Sequence, residues 1–219
     1  MLKQIGLGIG VLAVAFVGFV ATRPDTYHVE RSLTMEAPAE VLFPYSNNLK
    51  MWNEWSPWRE MDPESVLTFE GAEQGVTASY TWKGEKSGSG RMTILESVEN
   101  QQINYNLEFI EPFASTASVS MAFAAEGSGT KLTWSMDGQN NFMGKLWGTF
   151  MDMDKMIGSD FEKGLNKLKG IAEPIAAAKK AEAEKLAAEQ AAAAAMAGTT
   201  DGSAAAPAPE AAAPAPAAQ

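Results

Sequence analysis

The sequence contains no cysteine and only one histidine, His28. The first absence removes disulfides, thiolate metal sites and cysteine nucleophiles, and it leaves the redox compartment open. The second rules out a metal site built from several histidines and obliges any Ser/His arrangement to use His28. Basic charge is scarce too: 17 Lys and Arg stand against 27 Asp and Glu, a net charge of -10. That balance disfavours nucleic acid and strongly anionic surfaces as partners. No dinucleotide fingerprint, phosphate loop, HExxH or GxSxG motif occurs. Together these absences exclude most familiar enzyme types and give no reason to expect a cofactor or a metal.

Aromatic and sulfur side chains are plentiful, and they are unevenly placed. All 6 Trp and all 4 Tyr lie between the apolar first 24 residues and the Ala-rich end. The chain therefore divides into residues 1–24, a folded domain over 25–171, an Ala/Lys/Glu-rich helical extension over 172–197, and a disordered Ala/Pro-rich tail over 198–219. Pro174 is expected to end or restart the preceding helix. Residues 5–21 carry no charge over 17 positions, which suggests a transmembrane anchor. A cleaved signal peptide and a buried helix are the alternatives. Lys3 and the amino terminus set the positive-inside bias, so the expectation is a single-pass membrane protein with the domain outside the cytoplasm.

Hydrophobic period organises the middle. Tyr27, Val29, Leu33 and Met35 share one strand face with Arg31 among them. Pro38 suits the start of a short helix, and a second short helix leads into WNEWSPW, residues 52–58. Trp52 and Trp55 fall on one side of that helix, Ser56-Pro57 breaks it, and Trp58 continues into an extended stretch. Period-two runs follow at Val66–Phe69, Val76–Trp82, Gly90–Ile94, Ile103–Phe109, Ala117–Phe123 and Leu132–Met136, joined by turns such as KGEKSGSG and EGSGT. Each run is apolar on one side only, as suits an antiparallel sheet with one wet face. From Phe142 the period becomes helical through Leu146, Phe150, Met153, Ile157, Phe161, Leu165 and Leu168, with a kink possible at Gly158-Ser159. The fold class is α+β: a curved antiparallel sheet wrapped around a long carboxy-terminal helix, with two short helices after the first strand.

This order resembles the helix-grip fold of the START-like (SRPBCC) superfamily, specifically its bacterial polyketide-cyclase-like branch. The likeness rests on residues 27–58, 75–94, 129–138 and 160–169 and covers about residues 27–170. It implies a cavity between the long helix and the sheet that holds a hydrophobic small molecule or lipid. The candidate lining is Arg31, Trp55, Trp58, Tyr80, Trp82, Met92, Tyr105, Phe109, Met121, Trp134, Met136, Phe150, Met153 and Ile157. Aromatics and methionines suit an adaptable apolar pocket, and they equally suit a filled core. The WNEWSPW tryptophans read as packing that closes one end of the helix–sheet space.

Arg31 has three readings: a guanidinium in water at the sheet edge, a pair with an inward carboxylate, or a contact to a ligand's acidic group. His28 falls on the solvated side, and Asp152, Asp154 and Asp160 read as the wet side and caps of the long helix. Tyr80 and Tyr105 are candidates for catalytic proton donors, and a carboxylate pair for acid–base work stays open beside them. The leading expectation is a membrane-tethered binding or carrier domain. A cyclase- or dehydratase-like enzyme and a tethered protein-interaction domain are the alternatives. Oligomeric state and the identity of the ligand are not readable.

Overall fold

A computed structural model describes residues 2–199. The chain divides into two compact units, residues 1–177 and 178–219. The first contains α1 (Leu2–Ala21), β1 (Thr26–Met35), three short helices α2 (Ala39–Asn47), α3 (Leu49–Trp55) and α4 (Pro57–Met61), and six further strands. These are β2 (Val66–Glu70), β3 (Ser79–Gly84), β4 (Gly88–Val98), β5 (Gln102–Glu111), β6 (Ser115–Glu126) and β7 (Gly129–Gln139). Helix α5 (Phe142–Phe150) precedes α6 (Met153–Thr199). The expected tail over 198–219 lies outside the described residues from position 200 onward. The described part of the second unit is helical, and its side chains are solvent-exposed, with Lys185 and Glu189 paired at 3.9 Å.

All seven strands form one antiparallel sheet in the order β1-β7-β6-β5-β4-β3-β2, so the chain's first and last strands are neighbours. Val29, Met92, Ile94, Tyr105, Met121, Leu132 and Trp134 point to the buried face, and Phe161, Leu165 and Leu168 of α6 cover it. This is the helix-grip arrangement expected from the alternating and helical periods.

Local chemistry explains where the elements differ from their sequence signals. Asn48 caps α3 by accepting from the Lys50 and Met51 N–H groups. Pro57 then occupies the first turn of α4, where its missing N–H costs nothing, so Trp58 sits on a third short helix rather than an extended stretch. Val76 is exposed rather than inward: Thr77 has φ 74°, and β3 begins only at Ser79. The helix expected from Phe142 is interrupted at Met151, which is extended. Asp152 starts it again by accepting from the Lys155 N–H at 3.1 Å. Pro174 neither ends nor restarts a helix; it lies inside α6, and the hydrogen bond it forgoes falls to the solvent-facing turn at Gly170.

The membrane anchor over residues 5–21, and with it the single-pass, extracytoplasmic placement, is corrected. Among the described residues no helix is long and apolar enough to cross a membrane. The carboxy-terminal end of α1 instead meets α5. Val20 is fully buried, the Phe16 ring lies 6.1 Å from Phe150, and Lys145 Nζ donates to the Ala21 carbonyl at 3.3 Å.

Arg31 is paired, but its carboxylate partners are exposed residues of α6 rather than inward ones. Its Nε donates to Glu162 at 2.8 Å, and Nη1 and Nη2 donate to the Asp154 carboxylate at 3.0 and 2.9 Å. Nη1 also reaches the Glu30 carbonyl, and Nη2 the Asp154 carbonyl. A Cβ on Gly158 would stand 2.1 Å from Nη2, so the glycine is what lets the guanidinium lie across the helix. Gly158→Ala should therefore lower stability in the native background despite alanine's better helix propensity. In an Arg31→Met background the same change should raise stability by up to about 1 kcal/mol. Urea unfolding of the four proteins of this cycle reads the reversal of sign.

Candidate functional site

The sheet, α3, α4, α5 and the first turns of α6 enclose a cavity of about 590 Å3. Each wall has a distinct origin. Met92, Leu107, Phe109, Val119, Trp134 and Met136 rise from the inner face of β4 to β7. Tyr80 and Trp82 extend that wall along β3, with Leu67 behind them on β2. Gly90 makes this possible, because a Cβ there would lie 2.3 Å from the Trp82 ring. Trp52 and Trp58 close one end. Met143, Trp147 and Met151 from α5 and its end, with Met153, Met156 and Ile157 from α6, form the opposite side.

The closed end is an aromatic cluster centred on Trp134. Phe161 stacks on it at 4.0 Å with the planes 6° apart. Trp52, Trp55 and Trp58 meet it edge-on at 5.1, 5.4 and 5.7 Å. Such pairs contribute about 0.5–1.5 kcal/mol each beyond the area they bury. Gly164 lets α6 approach this cluster, since a Cβ there would touch Trp134 at 3.0 Å.

Polar groups interrupt the apolar walls, the amides of Asn53, Gln139, Asn140 and Asn141 among them. Asp160 is the one carboxylate of the lining, and Lys163 holds it at 2.9 Å. Arg59 donates to the Ser65 carbonyl and hydroxyl, and the Ser56 side chain makes no cap hydrogen bond. Burial pushes the Tyr80 hydroxyl well above its usual pKa; the neighbouring Trp52 indole offsets this in part, although it lies outside hydrogen-bond geometry. Tyr80 is thus a neutral phenol at any ordinary pH. Two indoles are satisfied by backbone, Trp55 Nε1 donating to the Tyr45 carbonyl at 2.9 Å and Trp82 Nε1 to the Ser87 carbonyl at 3.2 Å. The Nε1–H groups of Trp52 and Trp134 are buried without a partner. Each such donor costs about 1–3 kcal/mol.

Of the candidate residues, Trp58, Tyr80, Trp82, Met92, Phe109, Trp134, Met136, Met153 and Ile157 meet around this cavity. Arg31 does not, because its guanidinium is spent on α6. Trp55 stands behind Trp52, and Met121 is fully buried, with its sulfur 3.3 Å from the Ser46 hydroxyl. Tyr105 is committed in the same region, donating to the Ser46 carbonyl at 2.9 Å. Phe150 is 71% exposed and packs on Phe16.

The residues that period alone missed are Trp52 and the α5 set Met143, Trp147 and Met151. Extending the α6 phase backwards through Asp152 put Leu146 and Phe150 inward, whereas the break resets the phase by about one residue. The Met143–Trp147–Met151 spacing of four was the available signal.

Comparison with known proteins follows this geometry. Residues 26–173 match the family described as polyketide cyclase / dehydrase and lipid transport. The chain belongs to this family. No curated protein matches it in sequence. Among solved structures, protein CV1439 from Chromobacterium violaceum is similar at 16% identity and TM-score 0.50, covering 69% of this chain and 99% of that one. The di-domain ARO/CYC protein StfQ from the steffimycin biosynthetic pathway is similar at 12% identity and TM-score 0.52, covering 70% of this chain and 52% of that one. At such identities the likeness establishes the fold. The family supports a hydrophobic-ligand-binding domain or a cyclase-like role.

The loop beside the cavity depends on a carboxylate. Asp62 accepts from the Ser87 hydroxyl at 2.8 Å and from the Ser87 and Lys86 N–H groups, and these bonds, the hydroxyl foremost, lower its pKa from the usual carboxylate value. Asp152, through the Lys155 N–H, and Asp154, through Arg31, are lowered in the same direction. A carboxylate lowered in the folded state contributes stability that is full above its unfolded pKa and is lost as pH falls through the folded value. Stability should therefore hold steady from pH 7 to about 5 and fall below about 4. Asp62→Asn should be less stable at pH 7 and show a shallower acid decline, both read by urea unfolding at a series of pH values.

Proposed function

We propose that the domain binds or carries a hydrophobic small molecule or lipid in the helix–sheet cavity. The supporting observation is a volume of about 590 Å3, walled mainly by aromatic and methionine side chains, with a single carboxylate on its lining. Cavities of this size and character suit ligands of drug or lipid dimensions, and methionine lets the wall adapt to shape. Acid–base turnover would need groups titrating near the working pH. Burial drives the Tyr80 and Tyr105 hydroxyls away from that range, and Tyr105 already donates to backbone.

One observation favours a second reading, a cyclase- or dehydratase-like enzyme. The Tyr80 phenol stands on the cavity wall in its protonated form and can donate to a bound molecule.

Incubating the purified protein with a total lipid extract, repurifying it and recording native mass spectra distinguishes binding from an inert core. One small-molecule adduct per chain is expected; an unliganded spectrum after exposure to chemically varied extracts would contradict the proposal. Tyr80→Phe should then retain the adduct with affinity changed less than about tenfold. Loss of turnover of the bound compound in that variant, with the fold intact, would favour the enzyme. Tyr105→Phe, which strands the Ser46 carbonyl, should cost about 1–3 kcal/mol of stability and leave the adduct in place.

A further inference from the structure

The chain has four arginines, and the fold uses three of them internally. Arg31 is held by Asp154 and Glu162, Arg91 by Glu70, and the Arg23 guanidinium lies over the Phe19 ring at 5.7 Å. Arg59 is treated differently. It stands half-buried on α4 as part of the cavity lining, and no carboxylate of the described residues pairs with it. Its Nη1 donates to the Ser65 carbonyl and hydroxyl at 2.8 and 3.0 Å, and its Nε and Nη2 groups find no acceptor among the described residues. The nearest acids in sequence, Glu60 and Asp62, and the one on the lining, Asp160, are committed elsewhere. Glu60 meets Lys167, Asp160 meets Lys163, and Asp62 takes the Lys86 and Ser87 N–H groups. Three residues before Arg59 stands Ser56, which also lines the cavity; it is only 2% exposed, and its hydroxyl makes no hydrogen bond to the described residues. Lys86 is a second cation of the lining; Asp62 feels its charge, but the two form no ion pair.

In a chain of net charge -10, a cation without a carboxylate is not a by-product of surplus basic residues. Guanidinium N–H groups only donate and stay charged at any working pH, so their partner must bring lone pairs and gains most if it is anionic. A serine hydroxyl can donate to the same acceptor. An arginine in open water gains little from one more partner. On the wall of an apolar cavity the charge is screened less, and a charge-assisted bond counts for more. An amine would bring like charge to this wall, and an alcohol would forgo the charge of the guanidinium. Arg59 follows Trp58 at the end of the cavity formed by the short helices, while Met92, Phe109 and Trp147 supply apolar wall beyond it. The arrangement suits a molecule with one anionic head and an apolar body.

We infer that Arg59 and Ser56 form a carboxylate subsite, so that the molecule bound in the cavity is an amphiphilic acid whose carboxylate accepts from the free Arg59 N–H groups and the Ser56 hydroxyl. This rests on the binding role proposed above and names the chemistry of the bound molecule. Sites that hydrogen-bond a particular group discriminate against analogues lacking it, because the protein's polar groups are then left unpaired.

The test uses three probes with one alkyl chain, dodecanoate, dodecanol and dodecylammonium, which differ in the charge of the head at about pH 8. Each is titrated below its micellar concentration into the full chain, and its dissociation constant is read from tryptophan fluorescence. Dodecanoate should bind about tenfold or more tighter than dodecanol, and dodecylammonium should bind most weakly. In Arg59→Gln the advantage of the acid over the alcohol should fall about tenfold, while the affinity for the alcohol changes less than about threefold. Ser56→Ala should reduce the same advantage by a smaller factor; a ratio left unchanged there would remove the hydroxyl from the subsite. If Arg59→Gln does not fold, the order of the three probes on the unmodified chain decides. Equal binding of acid and alcohol, or an advantage that survives Arg59→Gln, would overturn the carboxylate subsite while leaving hydrophobic binding intact. Failure of all three probes to bind would overturn both.

Discussion

The stack of Trp134 on Phe161 is the contact on which the remaining architecture depends. It joins β7 to α6 at the point where the sheet is closed against β1, and its edges receive all three tryptophans of WNEWSPW. The sheet, the long helix and the short helices are therefore tied through one side chain. Dense packing at that end lets the opposite end, under α5, stay open as a cavity without loss of a continuous core. The same ring belongs to core and cavity wall at once, so structure and recognition are not separable there.

A second, polar contact fixes α6 further towards its start. Arg31 stands on the apolar parity of β1, yet it is satisfied by Asp154 and Glu162 and accommodated by Gly158. The helix is thus held by a charge-assisted clamp and by an aromatic stack, one turn of sequence apart. Its preceding segment, α5, is set off by the extended Met151 and can present a different face. That break is what brings Met143 and Trp147 to the cavity instead of Leu146 and Phe150.

The sheet and the covering helix were legible because alternation and the 3.6-residue period survive in the sequence with few interruptions, from Tyr105–Phe109 through Leu132–Met136 to Phe161–Leu168. The chain's belonging to its family follows the same segments, since residues 26–173 carry both. What period could not supply was depth and phase. Tyr105 and Met121 share the inward parity with Phe109 but lie against Ser46, behind Trp52. Arg31 shares parity with Val29 but meets carboxylates more than a hundred residues away in the chain. The amino-terminal run looked like a membrane span by its lack of charge. Among the described residues no helix is long and apolar enough to cross, and the end of this run packs on α5. The unequal treatment of the indoles could not be seen at all, because hydrogen-bond satisfaction is a property of three-dimensional neighbours.

The central claim is that aromatic closure at Trp134 leaves an open, mainly apolar volume beneath α5. Xenon-derivative crystallography measures this directly, since xenon enters preformed apolar cavities and avoids packed cores. The account predicts xenon bound among Met92, Phe109, Trp134 and Trp147, with α5 and the Trp134–Phe161 stack unmoved. A cavity region filled by the side chains of α5, with xenon absent from it, would contradict it.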